Sequence, residues 1–249
     1  MKKIAILQSN YIPWKGQFDL IDAVDEFILY DDMQYTRRDW RNRNCIKTAQ
    51  GLLWLTIPVK VKGKFDQRIC DVEIEEKSWA KKHWSSIRQN YAKAAHFKQF
   101  EEQFAHLYEK AATLNRLVDV NSLFLRSICD IFAIKTKITS SLDYGETDLT
   151  KTARLVYLCQ KAQANFYLSG PAAKDYIIPE LFWNQGIEFA YANYAHYPEY
   201  KQLYGDFAHN VSVLDLLFNV GEESLKFLKG PKKIIGPIES QFSGIRAEN

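Results

Sequence analysis

The chain has 249 residues, 47% hydrophobic and 25% charged, which suits a soluble protein with a well-buried core. Its 33 basic and 30 acidic residues leave a net charge of +3 with no strongly basic tract, which argues against nucleic acid or an anionic membrane as partner. Cys45, Cys70, Cys129 and Cys159 lack CxxC or CxxH spacing, and no apolar run is long enough for a signal core or a membrane span, so reduced thiols, no zinc ribbon and a cytoplasmic location are expected.

The apolar start predicts a strand over 3–8, then a polar turn punctuated by Pro13 and Gly16, a helix over about 15–23 and a second strand around 26–30. This is a β-α-β unit, and in open α/β sheets ligands lie at the carboxyl ends of the strands, beside the first strand-to-helix turn. Residues 31–44 have no period and are too long for a tight turn, as functional loops often are. Lys47 to Gly51 reads as a hairpin or loop, Leu52 to Val59 as a buried strand stopped at Pro58, and Lys60 to Lys64 as an exposed basic loop. Helical periodicity runs through 78–133, opening at Ser78 and including a wide apolar stripe from Leu117 to Ile131.

A short strand at 137–140, a helix at 148–163 and a strand at 165–168 follow. The strand runs into Ser169-Gly170-Pro171 and then a strand at 187–191, so the β-turn-α-β form recurs. His196 to Phe207 is an aromatic loop; Ser212 caps a helix that Asn219 and Gly221 terminate. The expected architecture is α/β, a Rossmann-like, mostly parallel sheet with a mainly helical lobe, in one domain over 1–228 and a loosely ordered tail over 229–249.

These motifs resemble the WbqC-like family of bacterial proteins. The resemblance rests on QSNYIPWKGQF (Gln8 to Phe18), DDMQY (Asp31 to Tyr35), WRNRN (Trp40 to Asn44), WLTIPV (Trp54 to Val59), YLSG (Tyr167 to Gly170), HYPEYKQLYGDF (His196 to Phe207) and SVLDLLFN (Ser212 to Asn219). It implies an accessory protein of surface-polysaccharide (O-antigen) biosynthesis, a setting that suits acyl or aminoacyl transfer onto a nucleotide-activated amino sugar. Gly16 to Ile21 also resembles the strand-turn-GHLDII arrangement of HIGH-signature nucleotidyltransferases. Pro13 or Trp14 and Gln17 here occupy the places of its histidines and cannot become cationic, and no ISSTxxR-like element is present.

The candidate ligand residues in the first turn are Gln8, Asn10, Tyr11, Trp14, Lys15 and Gln17, which offer hydrogen bonds, stacking surface and a charge. Gln34, Tyr35, Trp40, Arg41, Asn42, Arg43 and Asn44 form the second group, where arginine forks match phosphate and aromatics stack on a base or sugar. Ser169, Gly170, Tyr200 and Gln202 complete the set. His196 is the candidate general base, and Asp32, at a strand end from which a carboxylate can hold a substrate amine, is expected near the same reacting amine. No ligand spacing supports a metal, and no cofactor is assigned. The implied partner is a small molecule, a nucleotide sugar. A nucleotidyl- or adenylate-forming enzyme and a non-catalytic carbohydrate- or partner-binding protein remain the alternative readings.

Overall fold

Ile4, Ala5 and Ile6 are all buried, the mark of a strand covered on both faces, and they lie in β1 (Lys3–Leu7). The computed structural model describes residues 1–239. In it β1 stands inside a six-stranded sheet, flanked on one side by β2 (Glu26–Leu29) and then β5 (Lys137–Ser140), and on the other by β6 (Phe166–Ser169), β7 (Glu188–Ala192) and β8 (Ile235–Glu239). Every pairing is parallel except β7 with β8. The protein is therefore α/β with a mostly parallel sheet.

Alternation along the strands divides the core in two. Ala5, Phe27, Leu29, Leu168 and Ala190 face α1 (Lys15–Asp22), the helices α2 (Trp79–Tyr91), α3 (Phe97–Thr113) and α4 (Leu117–Ile131), and α7 (Val213–Val220). Ile4, Ile6, Ile28, Tyr167 and Phe189 face α5 (Lys151–Lys161) and α6 (Glu180–Trp183). The order of the strands reverses about β1: α1 leads from it to β2 on one side, whereas the later β6 pairs on its other side. That switch opens a crevice at the carboxyl ends of β1 and β6.

Two expectations need correction. The strand predicted over 52–59 ends earlier and is exposed at its start: β4 (Gly51–Thr56) pairs with β3 (Arg43–Thr48) as a separate hairpin, and of its six residues only Leu55 is buried, while Ile57 and Val59 beyond it are buried outside the strand. Its apolar run faces outward because the hairpin lies outside the main sheet. Residues 231–239, expected in a loose tail, form α8 (Pro231–Ile234) and the edge strand β8. The backbone N–H groups of Lys229 and Gly230 donate to the buried Asp19 carboxylate, which anchors this segment to α1. The rest of the expected tail, 240–249, lies outside the described residues.

A buried carboxylate organises the last third of the chain. Asp215, in the first turn of α7, accepts from the Tyr91 and Tyr200 hydroxyls at 2.7 Å and from Gln202 Nε2 at 2.8 Å. Asp215→Ala would leave three buried donors unsatisfied, and a loss of roughly 3–5 kcal/mol in urea unfolding is expected.

Glu26 is a second such centre, at the amino end of β2. Burial pushes its carboxyl up, but bonds from Lys2, Tyr144, Lys137 and Thr139 outweigh that and hold it down at about 2. With the folded value below the ordinary one, this contribution is present at neutral pH and is lost as pH falls from about 5 toward 2. Glu26→Gln is expected to flatten the stability profile over that range, as read by denaturant melts.

Candidate functional site

The turn after β1 is held open by its neighbours. Asn44 Nδ2 donates to the carbonyls of Tyr11 and Ile12 at 3.1 and 2.9 Å, and the Tyr11 N–H donates to Trp40 O at 3.0 Å. Ile12 takes φ of 35°, a left-handed conformation that costs a β-branched residue of order 1–3 kcal/mol and persists only when its surroundings impose it. Asn121 joins the turn to the following loop by donating to Ser9 Oγ at 3.0 Å and Arg41 O at 2.9 Å.

Between this turn and the start of the β6 turn lies a cavity of about 340 Å³. Trp14, Trp40, Tyr194 and Pro13 supply apolar walls, and Asn10, Gln17, Arg41, Asn44 and Asn210 supply polar groups. Asn10 accepts from Arg41 Nη1 and donates Nδ2 to Gln17 Oε1 at 2.7 Å, so the three form one clamp. Arg41 Nε and Gln17 Nε2 are both buried and find no acceptor among the described residues. Burial pulls the Arg41 guanidinium below its ordinary value, while Asp39, 3.5 Å away, and Asp31 act to restore it.

A second hollow of about 470 Å³ shares Trp14, Tyr194 and Asn210 with the first and adds His196, Tyr197, Glu199 and His209. His196 is exposed, with φ of 57°, and His209 Nε2 lies 3.8 Å from Glu199 Oε1. Trp14 is the wall between the hollows, in edge contact with Tyr194 and Tyr197 at ring separations of 5.0 and 5.5 Å.

Of the sequence candidates, Asn10, Trp14, Gln17, Trp40, Arg41, Asn44 and Gly170 therefore line the cavity, and His196 lines the adjoining hollow. The others serve elsewhere. Tyr11 is in the core, its hydroxyl 2.9 Å from His83 Nδ1 and 2.8 Å from Tyr108. Lys15 is buried beside the rings of Tyr197, Tyr200 and Phe207 and donates to Pro198 O at 2.9 Å; burial lowers its amine to about 8. Tyr35 packs into the core, Asn42 donates to Ile57 O, Gln34 donates to Phe65 O, and Arg43 lies over Trp54. Tyr200 and Gln202 serve Asp215. Ser169 is buried beneath Tyr167, and Gln8 sits half-buried at the end of β1 outside the cavity lining.

Asp32 is not among the residues lining either hollow. It pairs with Arg154 of α5 and accepts from Ser141 Oγ at 2.6 Å, away from both hollows. Asp31 turns the other way, accepting the Ser9 N–H at 2.8 Å within electrostatic reach of Arg41. The two lie in a turn beyond the end of β2, and the turn sends their carboxylates to different partners. Sequence reasoning missed Pro13, Tyr194 and Asn210, which are single loop residues without periodicity. Cys45 is buried and its thiol is pushed up to about 11, so it carries no thiolate at neutral pH. Among the described residues no three His, Cys, Asp or Glu side chains gather as metal ligands, and no helix is long and apolar enough to cross a membrane.

The model of the WbqC-like protein family matches residues 8–227, from the first turn through α7. The chain belongs to that family. A relative from Mycobacterium tuberculosis, "Uncharacterized protein Rv1507c", is 50% identical over 229 residues, covering 92% of this chain and 98% of its own. No solved structure matches. The family match contains every described residue lining the cavity except Leu7, at the end of β1.

One glycine of this WbqC-like chain is required by close approach. A Cβ at Gly16 would run into the Trp14 indole, which lies back over the start of α1. Gly16→Ala is expected to displace Trp14 and change its fluorescence and quenching by acrylamide, while far-ultraviolet circular dichroism stays that of the parent.

Proposed function

We propose that this WbqC-like protein is a transferase of surface-polysaccharide biosynthesis that acts on a nucleotide-activated amino sugar. The observation that carries the reading is a cavity walled by Trp14 and Trp40 and lined by Arg41 and Gln17, whose buried Nε and Nε2 find no acceptor among the described residues. A buried donor without an acceptor costs free energy, and rotation of either side-chain end toward the cavity would let phosphate oxygens relieve that cost. Trp14 and Tyr194 offer ring faces to the sugar, as apolar walls with a few placed polar groups do in small-molecule sites.

The adjoining hollow is where the second substrate, an activated acyl group, meets the amine in this reading. The amine nitrogen attacks the acyl carbon, the leaving group departs with its electron pair, and His196 takes the proton released as the C–N bond forms. Asp32, paired with Arg154 and outside the lining of both hollows, is given no role in this reading. A non-catalytic binding protein is the second reading, favoured by the exposed position of His196.

Titration calorimetry with nucleotide sugars distinguishes these. Arg41→Ala, and Arg41→Lys as the milder change, are expected to weaken binding at least about ten-fold, the scale of a lost charged hydrogen bond. His196→Ala is expected to bind as the parent does and to lose transfer from an activated acyl donor. Unchanged affinity in both Arg41 variants would refute the phosphate assignment, full transfer by His196→Ala would refute His196 as the base, and a parent that binds nucleotide sugar without transferring an acyl group would favour the binding reading.

A further inference from the structure

The cavity's tryptophan wall does not end at its rim. Trp40 lines the cavity and is also 44% exposed, and its ring lies 5.4 Å from that of Trp54, tilted by 38°. Trp54 is likewise 44% exposed, and the Arg43 guanidinium sits 4.3 Å from its ring centroid. The hairpin makes this geometry: Cys45 faces Trp54 and Arg43 faces Thr56, so Arg43 and Trp54 are diagonal neighbours across β3 and β4. Two large indoles and a guanidinium thus form a continuous row leading outward from Arg41. Arg43 and Trp54 belong to a hairpin outside the main sheet and Trp40 to the loop that leads into it, so packing of the sheet core does not explain the row.

Size gives the row an occupant. A cavity of about 340 Å³ is at the small end for organic ligands and leaves part of a two-part ligand outside. Indole and guanidinium planes are the surfaces on which nucleobases stack. Arg38, whose carbonyl accepts from Arg43, is also exposed, which suits the approach of a phosphorylated ligand. The geometry points to a nucleobase subsite on Trp54, Arg43 and the outer face of Trp40, so that the cavity holds the phosphate end of a nucleoside diphosphate and this row holds its base. The inference rests on the reading of Arg41 as a phosphate group's partner.

The test compares three probes, UDP, ADP and inorganic pyrophosphate, by titration calorimetry on the full chain. Trp54→Ala, and Trp54→Leu as a variant that keeps apolar bulk without a π face, are expected to weaken UDP and ADP about ten-fold and to leave pyrophosphate unchanged. Arg41→Ala is expected to weaken all three. Nucleoside diphosphates that bind both Trp54 variants as tightly as the parent, or that do not bind the parent at all, would overturn the subsite. So would sedimentation showing a dimer that Trp54→Ala dissociates, because a second copy would then cover the row. If the Trp54 variants lose nucleotide while Arg41→Ala loses none, the base subsite stands and the phosphate reading of the cavity falls.

Discussion

The Asn44 carboxamide holds the turn between β1 and α1 in a shape the chain would not adopt alone. Its two donated bonds to Tyr11 and Ile12 keep Ile12 in a left-handed conformation that its branched side chain disfavours. Because the turn is bent there, Tyr11 swings into the core against Trp79 and Phe124, while Asn10 and Trp14 point to the crevice. The cavity, the clamp through Asn10 and the wall at Trp14 all follow from that bend. Asn44 itself is placed by β3, so a hairpin outside the main sheet sets the geometry at the sheet's own carboxyl edge.

Buried carboxylates perform the equivalent task around the second hollow. Asp19 of α1 accepts the Tyr197 hydroxyl at 2.6 Å and the backbone of Lys229 and Gly230, which joins the aromatic loop and the segment leading to β8 to the first helix. Asp215 gathers Tyr91, Tyr200 and Gln202, and Lys47 closes the group by donating to Gln202 Oε1 at 2.7 Å. Each centre is satisfied by hydroxyls, amides or backbone N–H groups, which offsets the cost of burial without requiring a salt bridge at every one. These bonds tie down the aromatic loop in which His196 takes its own left-handed backbone conformation beside the hollow.

The strands were legible because a strand covered on both faces must be apolar nearly throughout, and Ile4 to Leu7, Phe27 to Leu29 and Phe166 to Leu168 all are. The helical run after Ser78 was legible for the same reason in a different period, and Ser212 with Gly221 marks both ends of α7 as sequence predicts. The same logic misread β4, where an apolar run stays outside: hydrophobicity reports a demand for cover and does not say whether the chain supplies it. At the site, the motifs marked the two segments that meet, but not which side chains within them face the crevice. Tyr11, Tyr35, Tyr200 and Gln202 are polar at one end and buried by partners far away in sequence, which no local pattern reveals.

Local composition and period by themselves determined the class of fold and the order of its main elements, and they marked the segments that border the cavity, since each depends on patterns written within a few residues. Tertiary structure decided which residue of each neighbourhood does what. Asp31 rather than Asp32 turns toward Arg41, and Arg41 alone of the loop's four arginines lines the cavity. Those outcomes depend on partners such as Arg154, Asn121 and Asp39, brought together by folding from distant and near positions alike, and it is the direction of a side chain that such partners set.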